Sequence, residues 1–389
     1  MRRGRRLCGG GLALLLAAAV PLTVMAATPE FARTEEEWAR LRDDVIEYDE
    51  LEDLIAEYNV TVQTNQLDMA KFKREYGDTK DDISDKYREL ADEIYSSVSY
   101  PSTDDSTYGY TIASVLTAEV QAKNFEEAAD ENLEDIEIIY LDYKSAEKTL
   151  VTVAQTNMIS YESGLLQIRQ AELAKKQAEL AYSSAQASMA TGMTTMVDVL
   201  SAQETMLTAQ RTITSSQSSI ENIRQKLQVM LGWSYDASPE IGAVPSADVS
   251  RIAAMDPEAD KEAALANNYT LQVNKRKLEN AVSPETVETL QRTIADNERQ
   301  IASSLETSYQ SVLTAKLSYD QAAASLELEQ RNLRQIAAQY AQGTASSMEY
   351  QNQQYTTQSA ELSLQIADLS LLQAMETYDW AVNGLASAS

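Results

Sequence analysis

The sequence predicts an all-α fold of two long antiparallel helical hairpins, one a duplicate of the other, with little or no β structure. Three observations predict it. Apolar residues recur in steps of 3 and 4 over long stretches, the period of packed helices. No proline interrupts the chain between Pro101 and Pro239, nor after Pro284, so nothing forces those helices to stop. A glycine-centred turn then appears twice in matched surroundings.

The N-terminus reads as an export signal, residues 1–26. Arg2, Arg3, Arg5 and Arg6 form a charged region, Leu12 to Val20 an apolar one, and small residues near Ala26 offer a cleavage site. An uncleaved anchor is the alternative, but the apolar run is short for a bilayer span. The single cysteine, Cys8, leaves with the signal, and there is no histidine. A disulfide, a zinc site and a histidine-based catalytic centre are therefore not expected, and no cofactor is. The net charge of -28 argues against nucleic acid and anionic lipid as partners. Neighbouring carboxylates such as Glu126 and Glu127 lack a glycine-rich or strand-borne pocket, so an enzyme is not expected.

Residues 27–250 read as a first repeat and 251–389 as a second. Thr34 to Tyr58 is expected to be one amphipathic helix: Thr34 and Glu37 form a capping box, and Trp38, Leu41, Val45, Tyr48, Leu51 and Ile55 share a face. Tyr58 to Thr64 alternates weakly, but a strand there would have no partner. Asn65 to Ser97 is helical with a wobble at Gly77. Asp78 to Asp85 is acidic yet lacks the glycine and glutamate spacing of a calcium loop. A loop at Tyr100 to Gly109 leads into a single helix from Thr111 to Thr191, about 120 Å long. Ala171, Ala174, Ala178, Ala181 and Ala185 line its far part, small enough for close helix approach. A loop from Leu231 to Pro245 ends the repeat. Asp256-Pro257 opens a short helix that ends at Asn268, as the helix from Leu51 ends at Asn59. Residues 285–342 form the second long helix, with Val312, Ala315, Tyr319, Ala322, Leu326, Leu333, Ile336 and Tyr340 in heptad steps.

The turns organise the rest. Gly192 ends one helix, and Thr194, Thr195 or Asp198 caps the returning one. At a constant offset Gly192 becomes Gly343, Thr195 becomes Ser346, Asp198 becomes Glu349 and Gln203 becomes Gln354. The returning ladders keep the same register. Val199, Met206, Ile213, Ile220 and Leu227 match Tyr350, Thr357, Leu364, Leu371 and Tyr378.

The pattern Tyr-x-x-Gly-x-x-(Ser/Thr)-x-x-(Asp/Glu) at Tyr340, Gly343, Ser346 and Glu349, with Leu200-Ser-Ala-Gln203 in the returning helix, resembles the TolC family of outer-membrane efflux proteins. The duplication, the Ala266-Asn-Asn268 ending and the export signal resemble it too. The resemblance implies an α-barrel protomer, a homotrimer around a hollow duct, and a tip of helix–turn–helix ends. That tip would dock on a periplasmic adaptor (membrane fusion) protein of an inner-membrane transporter. Carried over, the docking and gate residues are Gly192, Thr195, Asp198, Tyr340, Gly343, Ser346 and Glu349. This chain departs from the pattern at Met189, where the first repeat lacks the tyrosine. It departs again at Ala345, where a basic residue is replaced, and at Asn352, where an acidic one is. A gate here would rest on Asp198–Tyr340 hydrogen bonding.

The family's membrane strands find no counterpart, since such strands need alternating segments of about ten residues. Tyr95 to Tyr100 and Tyr108 to Val115 are poor candidates, and Asn268 to Val312 is polar and helical. The expectation is a passive duct subunit of an efflux or type I-like secretion system, with its bilayer part reduced or lost and an acidic, cation-favouring lumen. Its place is the cell envelope: outer membrane, periplasm or cell wall. The same heptads also suit a non-conducting extracytoplasmic coiled-coil spacer or regulator of a cell-wall enzyme or transporter.

Overall fold

A computed structural model describes residues 33–388. The expected signal peptide, 1–26, lies outside the described residues. The chain divides after Asp43 into two units. The first holds α1 (Glu35–Arg40), started by the expected capping box: the Glu37 amide donates to Thr34 Oγ1 and the Thr34 amide to Glu37 Oε2, at 3.3 and 2.6 Å.

Thr34 to Tyr58 is not the single helix that its spacing implies, because α1 stops at Arg40. In the second unit, Val45–Ile46 (β1) is extended and pairs in parallel with Glu240–Ile241 (β2). The Glu240 amide donates to the Asp44 carbonyl and the Gly242 amide to that of Ile46, at 2.8 and 2.9 Å. Ile46 is fully buried. A pairing partner almost two hundred residues away overrode the local helical period.

Helix α2 (Leu51–Tyr58) buries Leu51, Leu54 and Ile55 and ends at Asn59. Asn59 then caps α3 (Val60–Tyr76), accepting from the Thr61 and Val62 amides. The weak alternation at Tyr58 to Thr64 is thus helical. Asn268 does the same between α8 (Pro257–Asn267) and α9 (Tyr269–Asn280), accepting from the Leu271 amide. Each asparagine also reaches a segment more than a hundred residues further along the chain. Asn59 Nδ2 donates to the Met230 carbonyl at 2.8 Å; Asn268 Nδ2 donates to those of Gly384 and Ala386, at 3.2 and 2.8 Å. One buried amide therefore starts a helix and fastens the returning chain.

Gly77 is a full break rather than a wobble: at φ +92° it ends α3, and α4 (Lys80–Ser97) begins from a Thr79–Asp82 capping box. The acidic stretch at Asp78 is thus a helix start. Helix α5 (Tyr108–Asp130) packs back on α4. The predicted single helix from Thr111 to Thr191 is broken at 131–135, and α6 runs from Ile136 to Ala190. No proline or glycine marks this break. Tertiary hydrogen bonds hold it instead. Asn132 Nδ2 donates to the Lys80 carbonyl, the Ile136 amide to that of Asp78, and Asn280 Nδ2 to that of Leu133. Asp135 caps α6 through the Ile138 amide and accepts from Arg276 Nε at 2.6 Å and Asn280 Nδ2 at 3.0 Å.

Helix α6 returns as α7 (Met196–Met230), and α10 (Pro284–Ala341) returns as α11 (Ser347–Trp380). At 1.5 Å per residue α6 and α10 are each roughly 85 Å long. Besides these two hairpins, α6 packs along α11. Ile159 and Leu166 of α6 meet Leu369 and Leu372 of α11, and Gln170 Nε2 donates to Ser359 and Ser363. The order across the bundle is α7, α6, α11, α10. The predicted ladders face inward: Val199, Ile213, Ile220 and Leu227 are buried, as are Thr357, Leu371 and Tyr378. In the alanine row, Ala178 is buried but Ala174 and Ala181 are exposed, so that row is not a continuous seam. Leu271, Ile301, Leu305, Leu371, Met375 and Tyr378 anchor one hydrophobic core shared by α9, α10 and α11. No described helix is long and apolar enough to cross a membrane, and the strands among the described residues are two residues each.

Candidate docking and gate tip

Both hairpins turn in the same way. Gly192 and Gly343 take φ of +74° and +73°, the left-handed conformation that a Cβ disfavours. In the first turn the Met193 amide donates to the Ser188 carbonyl at 2.8 Å and the Gly192 amide to that of Met189 at 3.0 Å. In the second, the Thr344 amide donates to the Gln339 carbonyl at 2.9 Å and the Gly343 amide to that of Tyr340 at 3.0 Å. Each is a Schellman closure, which satisfies the last carbonyls of the outgoing helix. Nothing lies within 4 Å of where a Cβ would stand on either glycine. The glycines serve the backbone alone.

Each returning helix starts from a capping box at the predicted positions. The Asp198 amide donates to Thr195 Oγ1, and the Thr195 amide donates back to Asp198 Oδ2 at 2.9 Å. The Glu349 amide donates to Ser346 Oγ at 3.1 Å, and the Ser346 amide to Glu349 Oε2 at 2.7 Å. Asp198 also accepts from the hydroxyls of Thr195 and Thr194, both at 2.7 Å. These donors, the Thr195 hydroxyl foremost, hold its carboxyl down at about 2. The Ser346 amide and hydroxyl lower Glu349 in the same way. Both side chains are fully ionised at neutral pH and serve as helix caps.

Of the seven predicted residues, Gly192, Thr195 and Asp198 lie at the first turn and Gly343, Ser346 and Glu349 at the matching positions of the second, with Tyr340 beside it. Within the chain no hydrogen bond joins Asp198 to Tyr340 among the described residues. Asp198 is engaged by Thr194 and Thr195, while Tyr340 stacks on Tyr350 with ring centroids 5.1 Å apart and planes 6° off parallel. Sequence reasoning passed over Thr194 as a third donor to Asp198. It also left Tyr350 unpaired with Tyr340, although a helix–turn–helix of this length sets the two rings opposite each other. At the corresponding positions the first hairpin has Met189 and Val199.

With this geometry in place, the fold is similar to that of solved outer-membrane channels. It aligns with the Campylobacter jejuni CmeC outer membrane channel at a TM-score of 0.50 and 11% identity, covering 90% of this chain and 88% of that one. It aligns with the outer-membrane channel OprN at 0.51 and 10% identity, covering 89% and 92%. A membrane protein from Pseudomonas aeruginosa gives 0.50 and 12% identity, covering 87% and 90%. No family profile matches the sequence, and no curated protein does. At such low identity the likeness is one of fold, and it is the TolC-like helical fold that the turns and ladders predicted.

Proposed function

We propose that the chain is a duct subunit of an efflux or type I-like secretion system in the cell envelope. Three copies form a passive helical channel, and the hairpin tips dock on an adaptor protein of an inner-membrane transporter. The observation that carries this reading is the pair of open edges. Among the described long helices, α7 packs along α6 and α10 along α11; α8 and α9 cover only the N-terminal part of α10, and α7 and the rest of α10 keep large apolar side chains exposed. Those edge helices expose large apolar side chains at helical spacing: Leu200 and Leu207 on α7, Leu313, Leu317 and Leu328 on α10. Packing α7 of one copy on α10 of the next covers both edges and closes a ring. The family resemblance supports three copies. The fold neighbours, described as outer-membrane channels, support a conducting role.

In such a ring energy comes from the transporter, and the chain's contribution is a water-filled, acidic path. The caps Asp198 and Glu349 add fixed negative charge at its end. Mass measurement and electron microscopy of the purified chain test the assembly. A hollow trimer is expected, and a monomer or a two-stranded rod would leave only the spacer reading. Export by a strain carrying Asp198→Asn with Glu349→Gln tests the tip. Altered conductance or adaptor docking is expected, and unchanged export would refute the gate assignment.

A further inference from the structure

The two repeats differ at the end of the long helices opposite the tips. In the second repeat α9 passes to α10 through residues 281–283 alone. At the same place the first repeat carries the hairpin of α4 and α5, whose root is tied there by Lys80 Nζ donating to the Asn280 carbonyl at 2.6 Å. Helices α4 and α5 pack chiefly on each other, so the hairpin's outer faces meet little of the bundle. Its outer half stands apart in composition. Residues 94–118 hold four tyrosines and ten serines or threonines, and their only charges are Asp104 and Asp105. No lysine or arginine occurs between Arg88 and Lys123. Tyr100 and Tyr110 are 63% and 84% exposed. The Tyr95 hydroxyl donates to Glu126 Oε2 at 3.3 Å, and that of Tyr100 donates to Glu119 Oε1. The two carboxylates stand two helical turns apart on α5, so they set the two tyrosine hydroxyls about 10 Å apart along it.

Composition and charge together choose the occupant. Tyrosine offers a rigid contact face at little entropy cost, and serine and threonine adapt their hydrogen bonds. In a chain of net charge -28, an almost uncharged surface suits an uncharged partner. A second copy of the hairpin would set Asp104, Asp105, Glu119 and Glu126 against themselves, with no cation to offset them. A bilayer-seeking surface carries lysine or arginine on its polar side, and this one carries none. A sugar ring matches what is there. Its C–H face lies on an aromatic ring, and its hydroxyls exchange hydrogen bonds with carboxylates and with serine and threonine. We propose that the outer half of α4 and α5 is a glycan-binding arm, and that its ligand is the uncharged, β-1,4-linked glycan backbone of the cell wall. Two helical turns span about 10 Å, close to one disaccharide of such a strand, so alternate sugars meet Tyr95 and Tyr100. Tyr110 supplies a third face. The arm holds the chain in the wall. This rests on the cell-envelope placement proposed above but not on the ring.

The test is a titration of the full chain with the β-1,4-linked N-acetylglucosamine hexasaccharide, followed by saturation-transfer NMR. Binding is expected. Tyr100→Ala/Tyr110→Ala, checked for unchanged helicity by circular dichroism, is expected to weaken it at least tenfold. Tyr100→Phe/Tyr110→Phe keeps both rings and is expected to stay within threefold of the unaltered chain. Tyr235→Ala, at a tyrosine 72% exposed in the loop after α7, is expected to change nothing. Absence of binding, an equal loss in Tyr235→Ala, or equal binding of an α-1,6-linked glucan of the same length would each overturn the proposal. So would competition against the hexasaccharide by phosphatidylcholine vesicles or by self-association at high chain concentration. Oligomer mass is measured on the same sample. A ring that binds no hexasaccharide sinks only this inference, and a monomer that binds it sinks only the duct.

Discussion

The joint between α5 and α6 gives the sharpest stability prediction. Asp135 has a side chain only 1% exposed and is paired with Arg276, itself 35% exposed, across 2.6 Å. Burial pushes the Asp135 carboxyl up, but the bonds from Asn280, the Ile138 amide and Arg276 together outweigh it and hold the group below its ordinary range. Removing one partner of a buried ion pair costs about 3–5 kcal/mol. Discounted for the partly solvated guanidinium, Arg276→Met should destabilise by about 2 kcal/mol at pH 7. Asp135→Asn keeps an N-cap for Ile138 and should cost about 1 kcal/mol. The double variant should fall short of the sum by about 1 kcal/mol, because the second change removes what the first left unpaired. Urea unfolding followed by circular dichroism measures all three. Additivity within about 0.5 kcal/mol would refute the coupling. The pH dependence follows from the lowered carboxyl. Its contribution is fully present above the unfolded value near pH 4 and is lost as pH falls through the lower folded value. In Arg276→Met the folded carboxyl is lowered less, so that loss should be smaller and complete at a higher pH.

Two further outcomes follow from the turns and caps. Gly343→Ala should cost about 1 kcal/mol, since only its positive φ objects to a Cβ. Gly384→Ala should cost clearly more in the same melt, because its Cβ would stand 2.6 Å from the Asn267 carbonyl oxygen. Equal losses would show that the close approach at Gly384 is not sustained. Asn268→Ala removes a helix cap and two buried carbonyl partners at once, and should destabilise by about 2–3 kcal/mol by urea unfolding. A loss under 1 kcal/mol would mean that water replaces those bonds.

Much of the candidate site was legible because its signals are local. A glycine followed by a hydroxyl residue and then a carboxylate three positions on dictates a Schellman turn and a capping box, wherever the segment sits. That is why Gly192, Thr195 and Asp198, and again Gly343, Ser346 and Glu349, could be placed from sequence. Within one chain Asp198 is held by Thr194 and Thr195 and Tyr340 stacks on Tyr350.

By itself the sequence determined the helical class, both turns, the return ladders and the asparagine-ended short helices. Each of these follows from a period or a cap written within a few neighbouring residues. Only the tertiary structure decided where long apolar periods stop. Val45 fits a helix with Tyr48 and Leu51, yet the chain is extended at β1 because β2 offers its backbone distant partners. The stretch at 131–135 holds no helix breaker, yet the helix parts there because Asn280 and Arg276, far along the chain, bond the Leu133 carbonyl and the Asp135 carboxylate. Local sequence sets what a segment prefers, and hydrogen bonds from remote segments set whether it gets its preference.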